Sequence, residues 1–389
     1  MTKKWSSRLT FFAFVVLMVG LGSNDSLRGI FSTIFQEHFS LTTTQLGLIV
    51  TASYIGNLVF LLVGGNLSTR FSKKRVLQVL ILIWMVALAL FAFTSNYTVL
   101  LIGMALALGS STLLNTTMNL ITPLLFATAP GFFVNFLFFT QEIGTSGSQY
   151  ILGSHADGFA FWQHTNLVLL ILGAVAFVLL LFCNVPEEAA APADAPAQKG
   201  GYDWRIIVPY VLVFGFYFIA EHGVMNWMVA YGVDGLGLPQ ASAAKYLSVF
   251  FGGMMIGRLC LSPLVDKLGA LKSLAAFGGV SCVLYLIGSL GGAVTMPVWA
   301  ISGLSFSILY PTLVMSIRLY FPAQQVSGAA GTILSIASLA DILFNVGFGK
   351  LVDMTGYAVS IRVLPLSALA FFIVFMLFTK FCKPTQKLK

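Results

Sequence analysis

Asp25, Arg28, Glu142, Glu221, Arg258 and Asp341 interrupt long stretches rich in Leu, Phe, Val and Gly. A charged side chain at bilayer depth costs on the order of 3 kcal/mol by insertion scales, so each is a functional hypothesis by default. Asp25 lies in FFAFVVLMVGLGSNDSLRG and Glu221 in IIVPYVLVFGFYFIAEHGVMNWMVAYG. The chemistry open to such a carboxylate is to load a proton on one side of the membrane and release it on the other. Asp25 and Arg28 are three apart and share a helix face. They are either a protonatable site, balanced between burial and the neighbouring cation, or an ion pair that satisfies itself. Glu221 shares a face with Val224, Met225 and Met228, and Asn226 lies off to the side. Asn226 can bond a solute's hydroxyls and Trp227 can stack on a sugar's apolar face. The competing reading for Trp227 is anchoring at the headgroups, and for Tyr231 anchoring is the expected role. His222 reads equally well as packing. Gln141 and Glu142 lie in FFTQEIGTSGS. Glu142 is a third coupling acid or a substrate acceptor, or else the partner of Arg28 or another buried base. Arg258 is expected to form a structural or gating ion pair, and Asp341 poses the same question, since a buried charge must find a partner.

These residues need membrane helices to position them. Of 389 residues 58% are hydrophobic and only 9% charged, against about 25% charged in soluble domains. Mean hydropathy is +0.92. The chain is therefore polytopic, and its net charge of +8 is not a nucleic-acid signal. The sequence predicts twelve spans, at 9–31, 43–66, 75–94, 98–122, 130–153, 164–184, 205–231, 241–265, 271–291, 295–320, 326–350 and 358–381. Helix is the expected state, because lipid offers the backbone no hydrogen-bond partner. Many of the runs also exceed the roughly 9–11 residues of a barrel strand. Lys3, Lys4 and Arg8 precede the first span; Arg70, Lys73, Lys74 and Arg75 follow the second; Lys199 and Arg205 flank the middle loop; Lys267 and Lys272 follow the eighth; Lys380, Lys383, Lys387 and Lys389 end the chain. With twelve spans all lie on one side, which predicts cytoplasmic termini. The N-terminal run reads as a first span rather than a signal peptide, since Asn24, Asp25 and Arg28 stand where small cleavage-site residues would be. The Ala/Pro/Gly-rich stretch 185–204 reads as a cytoplasmic linker between bundles at 1–184 and 205–389.

The two halves align. Setting Thr69 against Asp266 places Gly56 on Gly253, each 13 residues upstream. Asp25 then lies 44 residues before Thr69 and Glu221 lies 45 before Asp266, one residue of loop apart. The layout resembles the major facilitator superfamily, whose loop pattern is similar to Gly-x-x-x-Asp-Arg-x-Gly-Arg-Arg. Asp266 and Gly269 fit that pattern in the second half, while Thr69 and Ser72 depart from it in the first. The resemblance implies two six-helix bundles around a cavity lined by spans 1, 4, 7 and 10, and a gating role for Asp266. The missing acid at Thr69 puts the corresponding lock of the first half in doubt. Within the superfamily the chain is similar to the fucose and glucose–galactose proton symporters. The matching stretches are Asn24-Asp25, Asn115 to Asn119 in LLNTTMN, Glu221 with Asn226-Trp227, AAKYLSVFFGGMMIGR (243–258) and Tyr310-Pro311-Thr312. In the fucose symporters an acid in span 4 joins the acid of span 1. Here that segment offers Asn115, Thr116, Thr117 and Asn119 and no acid, so part of the role is expected to pass to Glu221.

The expected function is proton symport of a neutral, polyhydroxylated small molecule of the sugar class, with sodium the other possible ion. Asp25, Glu221 and Glu142 would couple the proton, and Asn24, Asn115, Asn119, Gln141, Asn226 and Trp227 would hold the solute. Proton-antiport export of hydrophobic drugs is the competing reading; 35 Phe and 13 Met suit a greasy pocket, although lipid-facing rings explain most of them. No nucleotide loop, nucleophile–base pair or metal spacing occurs in the sequence. No enzyme, cofactor, metal or nucleic-acid partner is therefore expected. The expected setting is a bacterial inner membrane, as a monomer. Small-residue runs such as GSSTLLNTTM and SGAAG are read as helix packing.

Overall fold

A computed structural model describes residues 3–126, 130–183, 185–186 and 202–384. The side chains of residues 3–6, 63–70, 130–132, 135, 266, 323, 324, 327 and 341 lie outside that description, so the expectations for Asp266 and Asp341 do too. Most of the linker stretch, 187–201, also lies outside it. The chain divides into two compact units, residues 1–41 with 48–198, and residues 42–47 with 199–389.

The first unit is built from α1 (Lys3–Ile30), α2 (Ser32–His38), α3 (Thr43–Arg70) from Leu48 onward, α4 (Lys73–Phe93), α5 (Tyr97–Leu125), α6 (Pro130–Ile151) and α7 (Phe159–Leu181). Polar side chains cap the starts of α4 and α5. Ser72 Oγ accepts from Arg75 N at the start of α4, and Asn96 Oδ1 accepts from Thr98 N and Val99 N at the start of α5. α1 and α6 touch backbone to backbone. A methyl on Gly22 would overlap the Gln141 carbonyl, and one on Gly144 the Val19 carbonyl. That closeness lets Thr145 Oγ1 donate to Gly22 O at 3.2 Å and Ser23 Oγ to Gly144 O at 3.3 Å. Small residues permit such contacts between membrane helices, where lipid removes the hydrophobic drive to associate.

The second unit holds α8 (Trp204–Ala230), which ends in a π-turn at Tyr231–Gly235, then α9 (Gln240–Leu268) and α10 (Ala270–Leu290). It continues with α11 (Met296–Ile301), α12 (Gly303–Phe306), α13 (Leu309–Ser316), α14 (Ala323–Thr355), α15 (Tyr357–Ser360) and α16 (Val363–Phe381). The stretch expected as one span at 295–320 is one membrane-length helical stretch, Met296–Leu319, in which regular α-helix is interrupted at Ser302 and at Ser307–Ile308 to give α11 to α13. This stretch packs closely on α9. Gly303 presses on the Phe250 carbonyl of α9 so closely that a methyl there would collide, and Gly257 does the same to the Leu304 carbonyl. Gly56 and Gly253, paired by the repeat alignment, occupy matching places. Gly56 abuts the Ala105 carbonyl of α5, and Gly253 abuts Leu304 N just past the start of α12.

Among the described residues, eleven helical stretches are long and apolar enough to cross a membrane. The remaining expected span, 130–153, forms the 22-residue α6, whose Thr140, Gln141, Glu142, Thr145 and Gln149 dilute its apolar character.

Candidate functional site

In the first unit three helices bring the predicted polar residues together. Asp25 of α1 accepts from Ser111 Oγ of α5 at 3.2 Å and from its neighbour Asn24 Nδ2 at 3.4 Å. Arg28 lies within electrostatic reach of Asp25, and its guanidinium stands over the Tyr54 ring at 5.5 Å. Four residues from Ser111, on the same face of α5, Asn115 Nδ2 donates to Gln141 Oε1 of α6 at 2.6 Å. Asn119 Nδ2 donates in turn to Asn115 Oδ1 at 2.6 Å. The result is a ladder of three amides, with the acid of α1 bonded one helical turn away. Its end is open: Asn119 Oδ1 is buried without a hydrogen-bond partner. Glu142, next to Gln141, buries Oε2 without a hydrogen bond.

An amide ladder donates and accepts at the same time and carries no net charge, so it suits hydroxyl groups. The carboxylate beside it is the group that can change charge. Ser111 is the residue that sequence reasoning missed. It sits in the small-residue run read as packing, and its signal was its spacing of four from Asn115.

In the second unit Glu221 is 9% exposed and stands among aromatic hydroxyls. Its charge reaches Tyr217, Tyr285 and Tyr310, and that of Arg258 reaches Tyr217 and Tyr310. Both charges are within electrostatic reach of Tyr217 and Tyr310. The Tyr217 hydroxyl approaches Glu221 without a well-formed hydrogen bond, and the Tyr285 hydroxyl donates to Ala220 O at 3.2 Å. Tyr217 was legible as four residues before Glu221; Tyr285, on α10, gave no local signal.

Trp227 stands elsewhere. It is 0% exposed, donates Nε1–H to Asn345 Oδ1 at 2.9 Å and packs on Phe348 of α14. In this structure neither face of its ring is open to a solute. Asn226 is likewise buried, at 2% exposure. Tyr231 corrects the expectation of a headgroup anchor: it is 3% exposed and meets Trp299 edge to face at 6.2 Å. His222 stacks on Phe218 at 5.3 Å.

The chain is 24% identical over 333 residues to the L-fucose-proton symporter of Escherichia coli (strain K12), covering 74% of this chain and 75% of the relative. It is 27% identical over 344 residues to a glucose/galactose transporter of Brucella abortus biovar 1 (strain 9-941), covering 82% and 81%. The solved structure of a D-xylose-proton symporter shares the fold with a TM-score of 0.78 at 15% identity, over 99% of both chains. The family model of the Major Facilitator Superfamily matches residues 10–340. With that match over most of its length, on an all-α membrane fold, the chain belongs to the Major Facilitator Superfamily and is a transporter, not an enzyme.

Proposed function

We propose that the protein is a proton-coupled symporter of a neutral, polyhydroxylated small molecule of the sugar class, working by alternating access. The observation that carries this reading is the Asn119–Asn115–Gln141 ladder, with Asp25 one turn away through Ser111. Uncharged donors and acceptors would hold hydroxyls, and the neighbouring carboxylate would exchange the proton. The names of the fucose and glucose/galactose relatives agree with that chemistry. Asn24, Asn115, Asn119 and Gln141 are assigned to the solute and Asp25 to the proton. In the second unit Glu221 is assigned to the proton, within electrostatic reach of tyrosines that Arg258 also reaches, and Glu142 is held as a further coupling acid. Asn226 and Trp227 move from the solute to the support of α8. Arg28 and Arg258 set the charge balance around the two acids, and Asp266 and Asp341 are left to gating. The protein would sit as a monomer in a bacterial inner membrane with both termini cytoplasmic.

The test is solute-driven proton movement in proteoliposomes. Fucose, glucose, galactose and xylose are supplied in turn, beside a hexuronate and a cationic dye, with sodium present or absent. Alkalinisation of the medium by one neutral sugar, independent of sodium and reduced in Asp25→Asn and Glu221→Gln, supports the reading. Undiminished proton flux in Glu221→Gln removes its coupling role. A response only to the hexuronate or the dye removes the substrate class.

A further inference from the structure

The first unit carries a groove of about 610 Å³ that the transport reading does not use. Val59 and Phe60 of α3, Val79 and Ile83 of α4 and Leu113 of α5 line it, and Arg75 is the one charged residue among its described lining. Val59 and Val79 are 50% and 55% exposed, so the groove opens outward from the unit. Arg75 lies in the first turn of α4, at the basic boundary where the apolar span begins. Ile83 is eight residues further along the helix, about 12 Å of rise, which is most of one leaflet's half of a roughly 30 Å hydrocarbon core.

The neighbouring cations differ from Arg75. Lys74 Nζ donates to the Leu181 and Cys183 carbonyls at 3.0 and 2.7 Å, closing the end of α7, and Lys73 is buried. Arg75 is exposed. A planar guanidinium suits bidentate contact with a phosphate.

We propose that this groove binds an anionic glycerophospholipid, its phosphate on Arg75 and one acyl chain along Val79 and Ile83. Charge complementarity selects the occupant. Lipid tails are as apolar as the groove wall, so the tail gains little by leaving the bilayer. The headgroup contact therefore decides which lipid stays, through the attraction of one basic side chain for an anionic lipid.

Native mass spectrometry of the full, delipidated chain tests this. The protein is titrated with phosphatidylglycerol and, separately, with phosphatidylcholine of the same acyl chains. The wild type is expected to hold one phosphatidylglycerol at least threefold more tightly than phosphatidylcholine. Arg75→Gln loses that preference while binding phosphatidylcholine unchanged, and Arg75→Lys keeps part of it. Val79→Trp, which fills the groove, lowers both. Melting temperatures within error of wild type show that the variants fold; if Arg75→Gln does not fold, Val79→Trp alone decides. Equal affinity for the two lipids in the wild type overturns the proposal. So does an unchanged preference in Arg75→Gln or unchanged binding in Val79→Trp. A chain dimer lost in Val79→Trp would assign the groove to a second copy and overturn it equally.

Discussion

Asp25→Asn keeps the shape of the acid and the reach of Ser111 but removes the exchangeable charge. If Asp25 couples the proton, this variant retains solute exchange at equal concentrations, which needs no net proton movement, and loses accumulation against a gradient. Counterflow and active uptake in the same vesicles separate the two; loss of both would make Asp25 structural. Asn115→Ala removes the middle of the amide ladder, ending its bonds to Gln141 and Asn119. One such bond is worth roughly 1.5 kcal/mol, so KM for the solute rises about tenfold while the variant still folds. Trp227→Phe is predicted to behave otherwise. It takes the indole donor from buried Asn345 at a cost of about 1–3 kcal/mol. The melting temperature falls and KM stays. A raised KM with an unchanged melting temperature would restore Trp227 to the solute. Asp25, Glu221 and the amides were legible because charge and amide side chains are costly in an apolar helix. Ser111 was not, because a serine can satisfy itself on its own helix and so stands out in no pattern.

At the scale of elements the close helix crossings carry the most strain-sensitive positions. Gly303→Ala would drive a methyl into the Phe250 carbonyl and push α12 off α9. Gly147 of α6 has nothing within 4 Å of the corresponding methyl position, and alanine there gains up to about 1 kcal/mol of helix propensity. Melting curves in detergent are expected to show Gly303→Ala several degrees below wild type and Gly147→Ala at or above it. Hydropathy over 295–320 is continuous and predicts one span, and Met296–Leu319 is long and apolar enough to be one; the local interruptions that divide it into α11, α12 and α13 are not in that signal. Periodicity measures which residues tolerate lipid. It does not measure how closely a neighbouring backbone will come.

For the molecule as a whole, proton coupling predicts that a protonophore abolishes accumulation of the solute while leaving its exchange intact, as read from labelled uptake with and without the uncoupler. A sodium requirement in the same assay would replace the ion and keep the fold. The distribution of Lys and Arg predicts cytoplasmic termini, and a fluorescent reporter fused after Lys389 is expected to be bright while a phosphatase reporter there is silent. The sequence by itself determined that the chain spans a membrane as helices and that two acids and a set of amides must be held inside it. Both follow from local physics: lipid leaves backbone and charge without partners, so only helix and a protected interior are permitted. Which buried groups meet was decided by tertiary structure alone. Asp25 finds Ser111 across 86 residues, Asn115 finds Gln141 across 26 and Trp227 finds Asn345 across 118. Those pairings depend on the rotation and height at which one helix packs on another. Glycine contacts set that register, and side-chain periodicity along a single helix does not contain it.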